Sequence, residues 1–125
     1  EMDFDAEHNI YGCASFDPEL HIFSSTNLDK VKLVHLKTNY YSKTTYAHCI
    51  KVLPTEIIVL FSNSEYPLQS FTRDGELIRT ILSDRQVTGS AYFCIDLYNN
   101  FIISDISAHQ VKIFRQSGEL IVAIG

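Results

Sequence analysis

The sequence has little of several residue types that define common classes of protein. Its 125 residues include three cysteines, five glycines and no tryptophan. The cysteines, Cys13, Cys49 and Cys94, are odd in number and form no C-x-x-C pair, which argues against a disulfide framework and against a structural zinc site. We therefore expect a reduced, cytoplasmic protein without a structural zinc site. No other metal and no cofactor are predicted.

Two further absences concern membranes and secretion. No apolar run approaches the ~20 residues that a membrane-spanning helix requires. The first ten residues, EMDFDAEHNI, are acidic, whereas a signal peptide has a basic start followed by an apolar stretch. The sequence therefore predicts no membrane contact, and its 46% content of hydrophobic residues is sufficient for the core of one globular domain.

The chain contains an internal repeat. Residues 66–82, YPLQSFTRDGELIRTIL, are similar to residues 109–125, HQVKIFRQSGELIVAIG. Three residue types recur at one constant spacing, in the pairs Phe71 and Phe114, Gly75 and Gly118, and Leu77 and Leu120. A weaker third copy, NIYGCASFDPELHIFS, begins at residue 9. Repeats of roughly 36 to 45 residues are typical of propeller blades and of helical solenoids.

Local periodicity distinguishes between these two architectures. Each unit contains runs of about four to six residues rich in Ile, Val, Phe, Tyr and Leu, separated by polar turns such as RDG and QSG. None has the i, i+3, i+4 pattern of a solenoid helix. We predict strands at 2–5, 9–14, 20–24, 32–36, 48–52, 57–61, 67–72, 77–82, 93–96, 101–105, 110–115 and 120–125.

These strands predict an all-β fold, namely a partial β-propeller of three four-stranded antiparallel blades. The whole chain, 1–125, is then a single propeller segment. Its predicted parts are blade 1 at about 1–36, a loop at 37–47, blade 2 at about 48–82 and blade 3 at about 92–125.

Blade 3 resembles a known family of repeats. Its sequence, FCIDLYNNFIISDISAHQVKIFRQSGELIVAIG, is similar to an NHL repeat, with Asp105 at the aspartate position and His109 at the histidine position of the family pattern. The aspartate position holds Ala14 in blade 1 and Phe61 in blade 2. Other propeller families fit less well, because the Trp-Asp signature and the Gly-Gly pair of kelch repeats are both absent.

The resemblance carries implications for assembly and function. NHL propellers typically close as rings of six blades, so three blades correspond to half a ring. An open fan exposes strand edges and apolar sheet faces to water. We therefore expect either a segment of a larger propeller or a homodimer that completes a six-bladed ring. The resemblance also implies a non-catalytic scaffold that mediates protein–protein interaction.

Two alternatives remain open, an RNA-binding NHL module and a fragment of a six-bladed propeller enzyme of the lactonase or amidating-lyase type. The net charge of −5, with the acidic residues concentrated in residues 1–36 and no basic cluster, argues against nucleic acid. The histidines lack metal-ligand spacing and no G-x-S-x-G motif is present, so no catalytic residue is predicted. Asp96 and Asp105 are expected to cap backbone groups or to pair with Lys or Arg.

The candidate binding residues lie on loops. The segment KTNYYSKTTYAH at 37–48 is rich in tyrosine, whose ring supplies contact area and whose hydroxyl supplies direction. Loops between blades should emerge at the same end as loops between the second and third strands of a blade. The predicted binding residues are therefore Phe16, Tyr40, Tyr41, Lys43, Tyr46, Tyr66 and His109. Their side chains either contact a partner protein or pack over the ends of the blades.

The cysteines of blades 2 and 3 occupy matching positions. Cys49 and Cys94 fall in the first strands of neighbouring blades, and packed sheets stand about 10 Å apart. A disulfide requires Cα atoms closer than ~7 Å. We therefore expect both residues to be buried and unpaired.

Overall fold

The described part of the chain consists of β-strands and turns. A computed structural model describes residues 2–5, 9–13, 19–23, 30–38 and 45–125, and none of these residues is helical. The strands are β1 (Met2–Phe4), β2 (Ile10–Cys13), β3 (Glu19–Phe23), β4 (Lys30–His35), β5 (Tyr46–Val52), β6 (Ile57–Ser62), β7 (Leu68–Phe71), β8 (Leu77–Leu82), β9 (Ser90–Ile95), β10 (Phe101–Asp105), β11 (Gln110–Phe114) and β12 (Leu120–Ile124). All the predicted strands are present, with every boundary within three residues of its prediction.

The strands form three antiparallel sheets, each a meander in chain order. The first sheet contains β1 to β4, the second β5 to β8 and the third β9 to β12. The all-β prediction is confirmed. The first strands of consecutive sheets lie side by side, since β5 contacts β1 and β2, and β9 contacts β5 and β6.

Two apolar cores lie between the three sheets, one at each junction between neighbouring sheets. We call the side of a sheet that points toward the next sheet in the sequence its forward face, and the opposite side its rear face. The forward face of the first sheet packs on the rear face of the second, through Tyr11, Leu20, Ile22, Val34, Ile50, Ile57, Val59, Phe61 and Phe71. The forward face of the second sheet packs on the rear face of the third, through Cys49, Ile58, Leu60, Leu68, Leu82, Phe93, Phe101, Ile103 and Phe114.

The position of each sheet in the stack explains the residue pattern of its strands. The segment 57–61 of β6 is buried at every residue, because the second sheet is covered on both faces. In β10, by contrast, Phe101, Ile103 and Asp105 are buried while Ile102 and Ser104 are only partly so. The alternation in β10 follows from the third sheet being covered on its rear face alone among the described residues.

Two glycines make the same contact at both sheet-to-sheet junctions. Gly75 has a φ of +93°, and a Cβ added there would lie 1.9 Å from the carbonyl oxygen of His35, at the end of β4. Gly118 has a φ of +89°, and its added Cβ would lie 2.5 Å from the carbonyl oxygen of Ile81, near the end of β8. The turn before the last strand of a sheet therefore abuts the last strand of the preceding sheet at both junctions.

We expect Gly75→Ala and Gly118→Ala each to lower the free energy of unfolding by about 3 kcal/mol, because alanine is strained at these φ values and its Cβ meets backbone of the neighbouring sheet. Urea denaturation measures the change. Glu119→Ala, in the same turn as Gly118, is the matched control and should remain within ~0.5 kcal/mol of the original protein. Glycine variants as stable as this control would contradict the close approach.

One prediction about the cysteines is wrong. Cys49 is buried, and its Sγ donates to the carbonyl oxygen of Phe93 at 3.7 Å. Cys94, however, is exposed, although neither residue forms a disulfide, as expected. The two residues lie on the forward faces of their sheets, as their matching positions require. Only Cys49 is buried, because the third sheet covers the forward face of the second.

Candidate functional site

The predicted binding residues fall in three groups. Four of them, Phe16, Tyr40, Tyr41 and Lys43, lie outside the described residues. Tyr46 begins β5.

The remaining two residues lie in turns between second and third strands. Tyr66 is partly buried before β7, where its carbonyl accepts a hydrogen bond of 2.8 Å from Gln69 Nε2. His109 is exposed in the turn between β10 and β11. Their role in binding stays a prediction.

The turns that carry Tyr66 and His109 lie next to the connectors, the segments that link the last strand of one sheet to the first strand of the next. At the second sheet, Thr45 Oγ1 donates to the carbonyl oxygen of Asn63 at 2.7 Å, beside the β6–β7 turn. At the third sheet, the amide of Ile106 donates to the carbonyl oxygen of Gly89 at 2.8 Å. Connector and turn therefore meet at one end of each of these two sheets, which we call the connector end.

A buried carboxylate organises the connector end of the third sheet. Asp105, the last residue of β10, accepts hydrogen bonds from the amides of Thr88 at 3.1 Å, Gly89 at 3.0 Å and Ala108 at 3.3 Å. Lys112 Nζ lies 2.9 Å from the same carboxylate. Asp105 thus joins the connector, the β10–β11 turn and β11, which agrees with the capping and pairing role expected for it.

The surroundings of Asp105 determine its charge. Burial alone raises the pKa of this carboxyl, but the Lys112 ammonium and the amides of Thr88, Ala108 and Gly89 outweigh that effect and lower the pKa to about 2. A carboxylate with so low a pKa is a weak proton acceptor near neutral pH. The geometry therefore fits a structural anchor rather than a general base.

The turn that follows Asp105 presents His109 to solvent. His109 has a φ of +55°, in the left-handed region, and its amide donates to the carbonyl oxygen of Ile106 at 3.1 Å. An open groove of about 460 Å³ is lined by residues of this turn together with Val111 and Ile124. The residues that line this groove are both polar and apolar, a composition suited to contact with a polypeptide.

Asp96 caps the hairpin at the opposite end of β10. Its carboxylate accepts from the amides of Tyr98 and Asn100, both at 2.8 Å, and the hydrogen bonds from Asn100 lower its pKa. Asp5 accepts from the amide of Asn9 at 2.8 Å in the corresponding hairpin of the first sheet. Because Asp96 and Asp105 lie at opposite ends of a strand, they do not form an acid–base pair.

A polar cluster that the sequence did not predict joins the first and second sheets. The hydroxyl of Tyr11 donates to buried Asp5 at 3.0 Å and accepts from Arg73 Nη1 at 3.2 Å. Arg73 Nη2 also donates to the carbonyl oxygen of Leu53 at 3.0 Å. Burial and the hydrogen bond to Asp5 raise the pKa of Tyr11, so its phenol stays protonated at neutral pH. These contacts hold the first and second sheets together.

Two kinds of feature are absent from the ranges 2–5, 9–13, 19–23, 30–38 and 45–125. Within them, no three His, Cys, Asp or Glu residues are grouped so that they could hold a metal ion. The same residues include no helix long and apolar enough to cross a membrane. Comparison with protein-family models gave no match, and a search of curated proteins gave none.

Proposed function

We propose that this chain forms consecutive blades of an NHL-type β-propeller and acts as a non-catalytic scaffold that binds another protein. The observation that carries the proposal is the repeated junction between sheets. Gly75 lies against the end of β4, and Gly118 lies against the end of β8, so the turn before the last strand contacts the preceding sheet at both junctions. A repeated step between similar four-stranded meanders is the construction rule of a propeller.

Further contacts repeat at equivalent positions and support the same assignment. Arg73, in the β7–β8 turn, donates to the carbonyl oxygen of Leu53 at 3.0 Å. Gln116, in the β11–β12 turn, donates from Nε2 to the carbonyl oxygen of Asn99 at 2.7 Å. In both sheets the turn before the last strand is thus tied to the turn after the first strand. The adjacency of β1, β5 and β9 is also what blades arranged around a common axis require.

A protein-binding role is supported by the composition of the connector end. Exposed Ile106 and His109 lie beside the groove that reaches Val111 and Ile124. Asp105 at this end and Asp96 at the opposite end both cap turns through backbone hydrogen bonds. Turns held by a rigid sheet and rimmed by apolar and polar side chains are suited to recognising a protein surface.

Site-specific photo-crosslinking tests this proposal. A photoreactive amino acid replaces Ile106, which is 60% exposed at the connector end, or Leu97, which is 98% exposed at the other end of β10. After irradiation in cells, we expect an adduct of discrete mass between this chain and a different protein from position 106, and no adduct from position 97. Equal labelling at both positions, or adducts that ribonuclease removes, would overturn the proposal, and the second result would favour the RNA-binding alternative.

A further inference from the structure

The forward face of the third sheet is apolar, and no described residue packs on it. The strand register places on this face the side chains Tyr92, Cys94, Ile102, Ser104, Val111, Ile113, Val122 and Ile124. Tyr92 is 59% exposed, Val111 42% and Ile124 59%. A groove of about 260 Å³ crosses the face between β9 and β11. A contiguous apolar surface of this kind marks an interaction site.

The same positions in the second sheet form a buried interface. Cys49, Ile58 and Leu68 lie on the forward face of that sheet and are at most 1% exposed beneath the third sheet. Cys94 and Ile102 occupy the corresponding positions of the third sheet. The forward faces of the first and second sheets each pack on the next sheet, so the chain already forms this type of interface at two junctions. The forward face of the third sheet is one half of the same interface, and no described residue packs on it.

The rear face of the first sheet corresponds to the other half of that interface, and no other sheet of the described residues packs on it. Ile10 lies on its rear face, at a position that is buried and apolar in both other sheets. His21 lies on the same face at the position of Gln69 and Lys112, so all three repeats place a polar side chain there. Leu33, directly opposite His21 in the register, is 40% exposed. The rear face of the first sheet thus follows the pattern of the two rear faces that are covered.

We infer that the forward face of the third sheet binds the rear face of the first sheet of a second copy of this chain, in a head-to-tail arrangement. The inference deepens the proposed propeller architecture and rests on it. One such contact joins two copies head to tail, and a second, identical contact closes the pair into a ring when the rotation between copies permits closure. Otherwise the same contact adds further copies in an open chain.

Complementation between two interface variants tests the inference. Val111→Lys places a charge on the forward face of the third sheet, and Leu33→Lys places one on the rear face of the first. Burying an uncompensated ammonium in an apolar contact should weaken self-association roughly 100-fold or more, so each variant alone should be monomeric. A 1:1 mixture keeps one intact contact, between the rear face of the Val111→Lys chain and the forward face of the Leu33→Lys chain. We therefore expect the mixture to form a heterodimer.

Sedimentation velocity over a range of concentrations measures these states, with circular dichroism confirming that each variant is folded. Ile124→Lys, opposite Val111 in the register, should reproduce the Val111→Lys result if that variant is unstable. Leu97→Lys is the matched control and should associate like the original protein, because Leu97 lies in a turn outside both faces.

Three outcomes would overturn the inference. The first is an original protein that stays monomeric at every concentration, and the second is a variant mixture that stays monomeric. The third is a monomer whose Cys94 is protected from thiol reagents, since the face would then be covered within one polypeptide. A restored heterodimer without an adduct at position 106 would reject the partner-binding function alone, whereas an adduct from a strict monomer would reject self-association alone.

Discussion

Replacement of Asp105 by alanine is expected to lower the free energy of unfolding by about 3–5 kcal/mol, because removal of one partner from a buried charge pair leaves the other uncompensated. Lys112 would lose the carboxylate that lies 2.9 Å from its ammonium group. The amides of Thr88 and Gly89 would lose their acceptor at the same time. Urea denaturation followed by circular dichroism measures the loss.

The pH dependence of stability provides an independent measurement of the same anchor. The pKa of Asp105 falls from 3.8 to about 2 on folding, so its contribution is fully present above about pH 4 and is lost as the pH falls toward 2. A shift of this size corresponds to about 2 kcal/mol. Asp105→Asn should remove this contribution and flatten the stability profile between about pH 4 and pH 2.

Asp84→Asn is the control for both measurements, because Asp84 is an exposed carboxylate in the connector between the second and third sheets. Its stability should remain within ~0.5 kcal/mol of the original protein. If Asp105→Ala were equally mild, or if the Asp105→Asn profile kept the full slope, the carboxylate would not be the anchor of the connector end.

Phe71→Ala and Phe114→Ala are each expected to lower the free energy of unfolding by about 3–5 kcal/mol. The two residues are 0% and 1% exposed at equivalent positions of the second and third sheets. Phe71 also packs edge-on against Phe61, with ring centroids 6.1 Å apart. Truncation leaves a cavity in a core that relaxes only in part, and the cost is a large share of the stability of a small domain.

Urea denaturation of both phenylalanine variants tests whether the two cores are built alike. Leu97→Ala is the control, because its side chain is 98% exposed and its removal should change stability by less than ~0.5 kcal/mol. A mild Phe114→Ala beside a severe Phe71→Ala would show that the junction between the second and third sheets differs in strength from the junction between the first and second.

The strands and hairpins were predictable because their signals are local. The apolar runs of β6 and β10, bounded by turn residues, appear where the sequence predicts them. The caps follow the same principle, since Asp96 and Asn100 are separated by four positions and bond within one hairpin. Gly75 and Gly118 both adopt the positive φ that their turns demand.

The network around Asp105 was only partly predictable. Capping or pairing with a basic residue was expected, but nothing in the sequence identified Lys112 or Thr88 as the partners. Thr88 lies in a connector and Lys112 on a different strand, so their meeting depends on how sheet and connector pack. The matching spacing of Thr45 and Thr88 was available as a signal, because Thr45 contacts Asn63 just after β6 and Thr88 contacts Asp105 at the end of β10.

Cys49 and Cys94 illustrate the limit of reasoning from a repeat. Their matching positions correctly implied matching faces, yet one is buried and the other exposed. Whether a residue is buried depends on whether another sheet packs over it. A repeat specifies the face of the sheet on which the residue lies, but it does not specify whether a neighbouring sheet covers that face. The exposed face of the third sheet became visible only from the order in which the sheets stack.

By itself, the amino-acid sequence determined the strand class, the turns and the threefold repetition, because alternating apolar residues and turn glycines act over a few neighbouring positions. The tertiary structure alone decided which faces are covered and which basic side chain neutralises Asp105. Those outcomes depend on contacts between residues distant in the chain, whose free energies arise only when whole sheets pack together.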